Sequence, residues 1–98
     1  MKITMEQLMK LIGKLETKAE DMYRDEDGYS FIVTTTKCLY KIDVIMDRGE
    51  FMNISIDVYH DDISILWIQW DLNWSDHIDV HSHCELGDKL FHALLARL

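Results

Sequence analysis

The densest group of metal-binding and nucleophilic side chains in this sequence lies within one nine-residue segment. It reads His77-Ile78-Asp79-Val80-His81-Ser82-His83-Cys84-Glu85. Strand geometry would place His77, Asp79 and His81 on one face, about 7 Å apart along the strand. Imidazole, carboxylate and thiolate are the ligands that zinc and related metals use. Because Ile78 and Val80 would fill the opposite face, the same pattern is typical of a half-buried strand with a solvated outer side, which is the interpretation that we favour.

A second candidate for chemistry is the thiol of Cys84, which lies near the predicted start of a helix. The helix dipole and free N–H groups can stabilise a thiolate there, and His81 or His83 could assist. A nucleophilic site also needs an orienting group and an oxyanion pocket, which no motif in the sequence provides. Cys38 lies far along the chain from Cys84, so both cysteines are interpreted as free thiols. The sequence therefore leans against an enzyme and predicts no catalytic residue, metal ion or cofactor.

The charge of the chain is concentrated in one stretch. From Gly49 to Asp88, forty residues carry nine carboxylates and no lysine or arginine, and this stretch accounts for the net charge of −8. An acidic chain repels phosphate backbones, so nucleic acid is not an expected ligand, whereas a basic protein partner is electrostatically favoured. With all five histidines protonated the net charge would be −3. A charge-steered complex should therefore weaken at about pH 5 to 6.

Capping signals predict a helix at each end of the chain. Thr4 and Gln7 match a capping box, and apolar residues at spacings of three and four extend this first helix to about Tyr23. Ser82 and Glu85 match a second capping box, followed by a wide apolar stripe that reaches the last residue. Two amphipathic helices of this kind would pack on one face of a sheet.

Between the helices the apolar period falls to two, which predicts strands. The strand patterns cover residues 29–34, 38–46, 51–59, 65–74 and 77–81. Hairpin turns are predicted at Asp47–Glu50, at His60–Asp62 and at Ser75–Asp76, whereas the segment around Thr36 and Lys37 is compatible with either a turn or a bent strand. Short connections imply antiparallel neighbours.

The expected architecture is an α+β fold in the order α-β-β-β-β-β-α. It consists of an antiparallel meander sheet of four to five strands, with the N-terminal and C-terminal helices packed on one face. Residues 1–98 are expected to form a single domain, because a chain of this length holds one hydrophobic core. The sequence shows neither a secretion signal nor an apolar run of about 20 residues, so a cytoplasmic protein is expected.

Strand alternation divides the tryptophans between the two faces of the sheet. Trp70 and Trp74 share the core side with other large apolar residues of the same strand. Trp67 falls on the opposite side together with Ile65, and the neighbouring strand adds Phe51 to that side. Either a helix or loop covers this face, or it contacts another chain, since exposed aromatic surface often marks an interface.

The leading functional hypothesis is a non-enzymatic acidic binding or adaptor protein that engages a basic protein partner, as a homodimer. Inhibitors, immunity proteins and effector-binding chaperones share this combination of size and charge, although fold does not fix function. The expected partner-binding residues are Trp67, Tyr59, Phe51, Asp57, Asp61, Asp62 and Asp71. Two alternatives remain: a metal- or thiol-dependent small enzyme using the His77, Asp79, His81 and Cys84 cluster, and a small-ligand-binding domain with an opening between helices and sheet.

Overall fold

The computed structural model describes residues 1–74 and 77–98. Its elements, in chain order, are α1 (Met5–Glu16), β1 (Glu20–Asp25), β2 (Gly28–Thr34), β3 (Leu39–Asp47), β4 (Glu50–His60), β5 (Ile63–Asp71), a 3₁₀ turn (Leu72–Trp74), β6 (Ile78–Ser82) and α2 (Glu85–Ala96). The strands pair antiparallel in sequence order within one sheet. The α+β meander with terminal helices is confirmed, and it contains six strands rather than four or five. The predicted turn at Ser75 and Asp76 lies outside the described residues.

The hydrophobic core fills the space between one face of the sheet and the two helices. Strands β2 to β6 contribute Phe31, Val33, Tyr40, Ile42, Val44, Ile54, Ile56, Val58, Leu66, Ile68, Trp70 and Ile78. The helices contribute Leu8, Leu11, Ile12, Leu15 and Phe91. Each large apolar side chain removed from water contributes about 1.5–3 kcal/mol, so this single layer dominates the stability of the fold. Neither helix in the described part of the chain has the length and apolar character needed to cross a bilayer.

The first helix begins where the sequence predicts and ends earlier. The Thr4 hydroxyl accepts a hydrogen bond from the Gln7 backbone N–H at 3.1 Å, and the Gln7 side chain accepts one from the Thr4 N–H at 2.9 Å. The predicted extension to Tyr23 is wrong, because α1 ends at Glu16 and the chain continues into β1. All residues of β1 are exposed, so their side chains carry no burial pattern. Main-chain pairing with β2 decides their conformation instead.

Irregular pairing marks β1 as an interrupted edge strand. The register with β2 shifts between Glu20 and Tyr23, and Asp21 in this gap has a left-handed φ of 50°. The outer edge of the sheet is therefore not a continuous ladder of backbone groups on this side. Edge strands protected by bulges and charges are poor templates for pairing with another chain.

Two tight hairpins fix the central strands. Arg48 and Gly49 have φ values of 53° and 79°, and Asp61 and Asp62 have values of 50° and 63°. Consecutive left-handed residues are typical of two-residue turns whose twist matches that of the flanking strands. Both predicted hairpins are thus confirmed. The connection near Thr36 is also a turn, in which the Thr35 hydroxyl accepts from the Cys38 N–H at 2.9 Å.

A bulge in β5 forms the surface on which the first turn of α2 packs. Ile65 is the extra residue between two adjacent cross-strand pairs, so its side chain turns into the core and is only 4% exposed. Its predicted place beside Trp67 is therefore wrong. The carbonyl oxygen of Ile65 accepts a hydrogen bond from the His83 N–H at 3.0 Å and lies against the backbone of Gly87. A residue without a side chain is required at this contact.

The start of α2 also differs from prediction. Ser82 is the last residue of β6, and its hydroxyl donates to the carbonyl oxygen of Cys84 at 2.9 Å rather than capping the helix. Cys84 occupies the N-cap position without a side-chain cap, and the helix begins at Glu85. The predicted capping box at Ser82 is therefore wrong, because β6 extends through the residue that would have formed it.

Replacement of Gly87 by alanine should destabilise the protein, because the added Cβ would overlap the Ile65 carbonyl oxygen. Overpacking of this kind costs about 1–3 kcal/mol. Gly13→Ala is the matched control: an added Cβ there meets nothing within 4 Å, and alanine favours a helix over glycine by about 1 kcal/mol. Chemical denaturation followed by circular dichroism should give midpoint shifts of opposite sign. Equal shifts would contradict the close packing of α2 on β5.

Candidate functional site: the outer face of the sheet

A row of four chemically distinct side chains crosses the sheet on the face opposite the helices. Lys41 in β3 pairs with Asp57 in β4, Asp57 pairs with Trp67 in β5, and Trp67 pairs with His81 in β6. Directly opposed residues in antiparallel strands project from the same face, with Cβ atoms about 4.5–5.5 Å apart. We call this set the Lys41–His81 row. It brings a cation, a carboxylate and two aromatic rings into one line.

Trp67 is the large aromatic residue of this row. Its side chain is partly buried, and its ring stacks on the His81 imidazole with centroids 5.2 Å apart and planes 21° apart. In the part of the chain that the structure describes, neither α1 nor α2 lies on this side of the sheet, since the core cluster gathers the buried residues of both helices on the other side. Neighbours within the sheet therefore account for the burial of Trp67, and part of the ring remains accessible.

Asp57 organises the side chains beside the tryptophan. Its carboxylate accepts hydrogen bonds from the Tyr59 hydroxyl at 2.8 Å and from the Ser64 hydroxyl at 2.7 Å. The Lys41 ammonium lies 5.1 Å from the centre of the Tyr59 ring. The hydrogen bond to Asp57, followed by burial and by repulsion from the same carboxylate, raises the pKa of Tyr59. The phenol therefore stays neutral and holds the carboxylate in a fixed orientation.

Each of the strands β3 to β6 carries a carboxylate on the outer face. Asp43 and Asp79 lie in the row next to the Lys41–His81 row, and Asp71 lies at the end of β5. The backbone N–H of Asn73 donates to Asp71 at 2.9 Å and the Asn53 side chain at 3.1 Å, and these bonds hold the pKa of Asp71 below its usual range. Within the described part of β3 to β6, Lys41 is the only lysine or arginine on this face.

The remaining predicted partner-binding residues divide into two groups. Asp61 and Asp62 form the exposed turn between β4 and β5, and the Asp61 carboxylate lies 3.4 Å from the His60 ring. Phe51 does not lie on the outer face: it pairs with Met46, and both pack against the core. The predicted face of Phe51 is wrong because the register of β3 and β4 shifts beside this pair, so simple alternation fails there.

The other two tryptophans were assigned to the core. Trp70 is 6% exposed, which confirms its assignment. The assignment of Trp74 is wrong: it is 37% exposed, in the 3₁₀ turn after β5 ends at Asp71. Alternation between faces stops with the strand, so it no longer predicts which side chains are buried.

The predicted cluster of His77, Asp79, His81 and Cys84 is only partly assembled. The His77 ring nitrogen Nε2 lies 2.6 Å from an Asp79 carboxylate oxygen, but His81 stacks on Trp67 instead. Cys84 is an exposed free thiol at the N-cap of α2. Residues 1–74 and 77–98 contain no group of three or more His, Cys, Asp or Glu side chains that could hold a metal ion.

Lys41, Ser64 and His81 complete the site and were not predicted as partner-binding residues. Outward alternation in β3 and β6 is a sequence signal for Lys41 and His81, but their alignment with Trp67 depends on the register of three strand pairs. Ser64 reaches Asp57 because the bulge at Ile65 changes the pairing of β4 and β5.

Comparison with known proteins adds no functional information. No protein-family model, curated protein or solved structure matches this chain. The geometry and charge of the outer face therefore carry the functional argument.

Asp57→Asn should lower the pKa of Tyr59 towards the ordinary value of about 10, because the amide neither repels a phenolate nor accepts as strong a hydrogen bond. In the unsubstituted protein the contribution of this hydrogen bond to stability is fully present below the ordinary tyrosine pKa. It is lost as the pH rises through the raised pKa of Tyr59. Absorbance titration of the phenolate band measures the change. Tyr59→Phe identifies which part of the phenolate titration curve belongs to Tyr59. Asp43→Asn is the control and should leave the Tyr59 pKa unchanged. An unchanged Tyr59 component in Asp57→Asn would contradict the hydrogen bond.

Proposed function

We propose that this protein is a non-enzymatic binding protein whose outer sheet face engages a basic surface of another protein. The observation that carries the proposal is the Lys41–His81 row, in which an accessible tryptophan lies between an oriented carboxylate and a stacked imidazole. Both helices pack on the opposite side, so this face is free to meet a partner.

Trp67 and Tyr59 supply the anchoring surface in this proposal. Tryptophan and tyrosine are enriched among the residues that dominate binding energy, and rigid rings lose little conformational entropy on binding. Here the Trp67 ring is stacked on His81, and the Tyr59 hydroxyl is bonded to Asp57. Because both rings are already held in place, complex formation would not have to order them.

In this proposal the carboxylates of the outer face raise the rate of association with a basic partner and select against acidic ones. Asp57 lies opposite Trp67 and bonds Tyr59, Asp43 and Asp79 lie in the next row, and Asp71 lies at the far end of β5. Asp61 and Asp62 lie at the β4–β5 turn beside Tyr59. Charges of one sign on a face attract a partner of opposite sign and disfavour partners of the same sign. A lysine- or arginine-rich protein surface fits this distribution, whereas a nucleic-acid backbone does not.

The position of β6 as an edge strand of the described sheet supports a homodimer. Antiparallel pairing of two copies about a two-fold axis at Val80 would place Asp79 of each copy opposite His81 of the other. This self-complementary pattern would join the two outer faces into one continuous surface. The proposal also includes a cytoplasmic location, which fits the free thiols of Cys38 and Cys84.

Trp67→Ala should weaken partner capture at least tenfold, because truncation of a central aromatic anchor commonly costs about 2 kcal/mol or more. The matched control is Trp74→Ala, which removes an exposed tryptophan outside the row. The measurement is affinity capture from the source cell at low and high salt with each variant as bait, followed by calorimetry with the isolated partner. Charge steering requires capture to fall as salt rises.

Equal capture by the Trp67→Ala and Trp74→Ala variants would reject the outer face as the binding surface. Capture that strengthens at high salt would reject a basic partner. Circular dichroism on both variants separates loss of the anchor from loss of the fold.

His81→Asp should convert the dimer to a monomer, because it places two carboxylates opposite each other at both ends of the paired strands. Exchange of both residues, Asp79→His with His81→Asp, again places a histidine opposite an aspartate across the two strands and should restore the dimer. His92→Asp on the exposed surface of α2 makes the same chemical change away from β6. Light scattering over a range of concentrations gives the mass. A monomeric unsubstituted protein at every concentration would overturn the homodimer.

A further inference from the structure

An open cleft of about 670 Å³ lies between α2 and the sheet, at the end where β2 connects to β3. Its walls are the β2–β3 turn, the first residues of β3, the end of β4 and one side of α2. Pockets that bind small ligands commonly enclose about 300–1,000 Å³. The cleft is on the helix side of the sheet and is separate from the outer face.

The charge of this cleft is opposite to that of the protein. Lys37, Lys89 and Arg97 line it, together with the His60 ring, and no aspartate or glutamate is among its described lining residues. Lys89 pairs with Glu85 at 3.3 Å. Neither Lys37 nor Arg97 has a carboxylate oxygen within 4.0 Å in the part of the chain that the structure describes. Two positive charges thus remain available to an anion on a chain whose net charge is −8.

Tyr40 adds to the cleft a hydrogen-bonding group that no described residue uses. This residue is only 5% exposed, yet its hydroxyl forms no hydrogen bond with any described residue. No fully buried side-chain nitrogen or oxygen among the described residues lacks a partner, so the hydroxyl must reach solvent, and Tyr40 lines the cleft. Burial, and then the nearby Cys38, raise the pKa of Tyr40, while Arg97 lowers it. The phenol is therefore a neutral donor exposed to the cleft.

The rest of the lining combines apolar side chains with two threonines of the β2–β3 turn. Leu86 and Leu90 of α2 form one side, and Cys38 lies on the other. The Thr35 hydroxyl accepts from the Cys38 N–H at 2.9 Å and lies 3.2 Å from the Cys38 carbonyl oxygen, so the β2–β3 turn is closed on itself. A preformed apolar cavity with a few converging polar groups is the usual form of a small-molecule site.

We propose that this cleft binds a small organic anion, a carboxylate or a phosphate ester that carries an apolar group. Lys37 and Arg97 meet the anionic group, the Tyr40 hydroxyl donates a hydrogen bond to it, and Leu86 and Leu90 cover the apolar part. Lys89 adds a further ammonium group at the rim, while the His60 ring donates from Nδ1 to the Lys37 carbonyl oxygen at 2.8 Å and so helps to hold the β2–β3 turn in place. This site is independent of the proposed function on the outer face, and either can fail without the other.

The first experiment compares two probes that share an aromatic body. Anilinonaphthalene sulfonate carries an anionic group, whereas N-phenyl-1-naphthylamine is uncharged. Fluorescence titration should give saturable binding of one sulfonate probe per chain and binding of the uncharged probe at least about fivefold weaker, since charge-assisted hydrogen bonds are stronger than neutral ones. Equal affinity for the two probes would overturn the proposal.

Three variants locate the site. Lys37→Gln and Tyr40→Phe should each weaken the sulfonate probe by about fivefold to tenfold. Tyr40→Phe should leave the melting temperature unchanged, because the lost hydroxyl has no partner in the described protein. Lys10→Gln is the control, since Lys10 is an exposed helix lysine that pairs with Glu6 and does not line the cleft. The same loss in Lys10→Gln, or no loss in Tyr40→Phe, would overturn the assignment.

Competition then identifies the anionic group. Octanoate and octyl phosphate carry the same tail, so displacement of the sulfonate probe by one more than the other distinguishes a carboxylate site from a phosphate-ester site. Displacement by neither compound would reject an organic-anion site in this cleft.

Discussion

The removal of one face of a six-stranded sheet from water is the constraint on which the rest of the structure depends. Two helices of twelve residues each accomplish it by placing their apolar stripes on the same side. Since both helices are used there, no other α-helix of the described residues remains to cover the other face. The aromatic residues of the outer face are therefore shielded from water only by neighbouring side chains of the sheet. In the Lys41–His81 row, Trp67 is shielded in this way by stacking on His81. The core and the candidate site both follow from the packing of the two helices on the same face of the sheet.

Much of the fold could be predicted from local signals. The α1 start and the two central hairpins depend on residues adjacent in sequence, such as Thr4 with Gln7 and Arg48 with Gly49. The end of α1 could not be predicted in the same way. Residues of β1 are exposed whether they form a helix or an edge strand, so apolar spacing does not distinguish the two, and pairing with β2 decides.

The candidate site was predicted only as far as strict alternation holds. Asp57, Tyr59 and Trp67 lie on the outer face as the sequence indicates, because β4 pairs regularly with β3 from Asp57 to Tyr59 and the β5 bulge at Ile65 comes before Trp67. Phe51 and Ile65 turn inward at places where the register shifts. A single extra residue exchanges the two faces, and no local composition marks where it falls. The hydrogen bond from Ser64 and the stacking of His81 follow from these long-range registers and from nothing that a short segment encodes.

The two edges of the sheet differ in a way that affects assembly. At β1, the left-handed Asp21 interrupts the backbone ladder, whereas the described pairing of β6 with β5 is regular throughout. A protein with two regular edges can add subunits at both and grow into a fibre. With one interrupted edge, addition at the other closes after a second subunit. In the β6-paired dimer that we propose, the left-handed Asp21 on each β1 edge would therefore oppose the addition of further strands and keep the assembly finite.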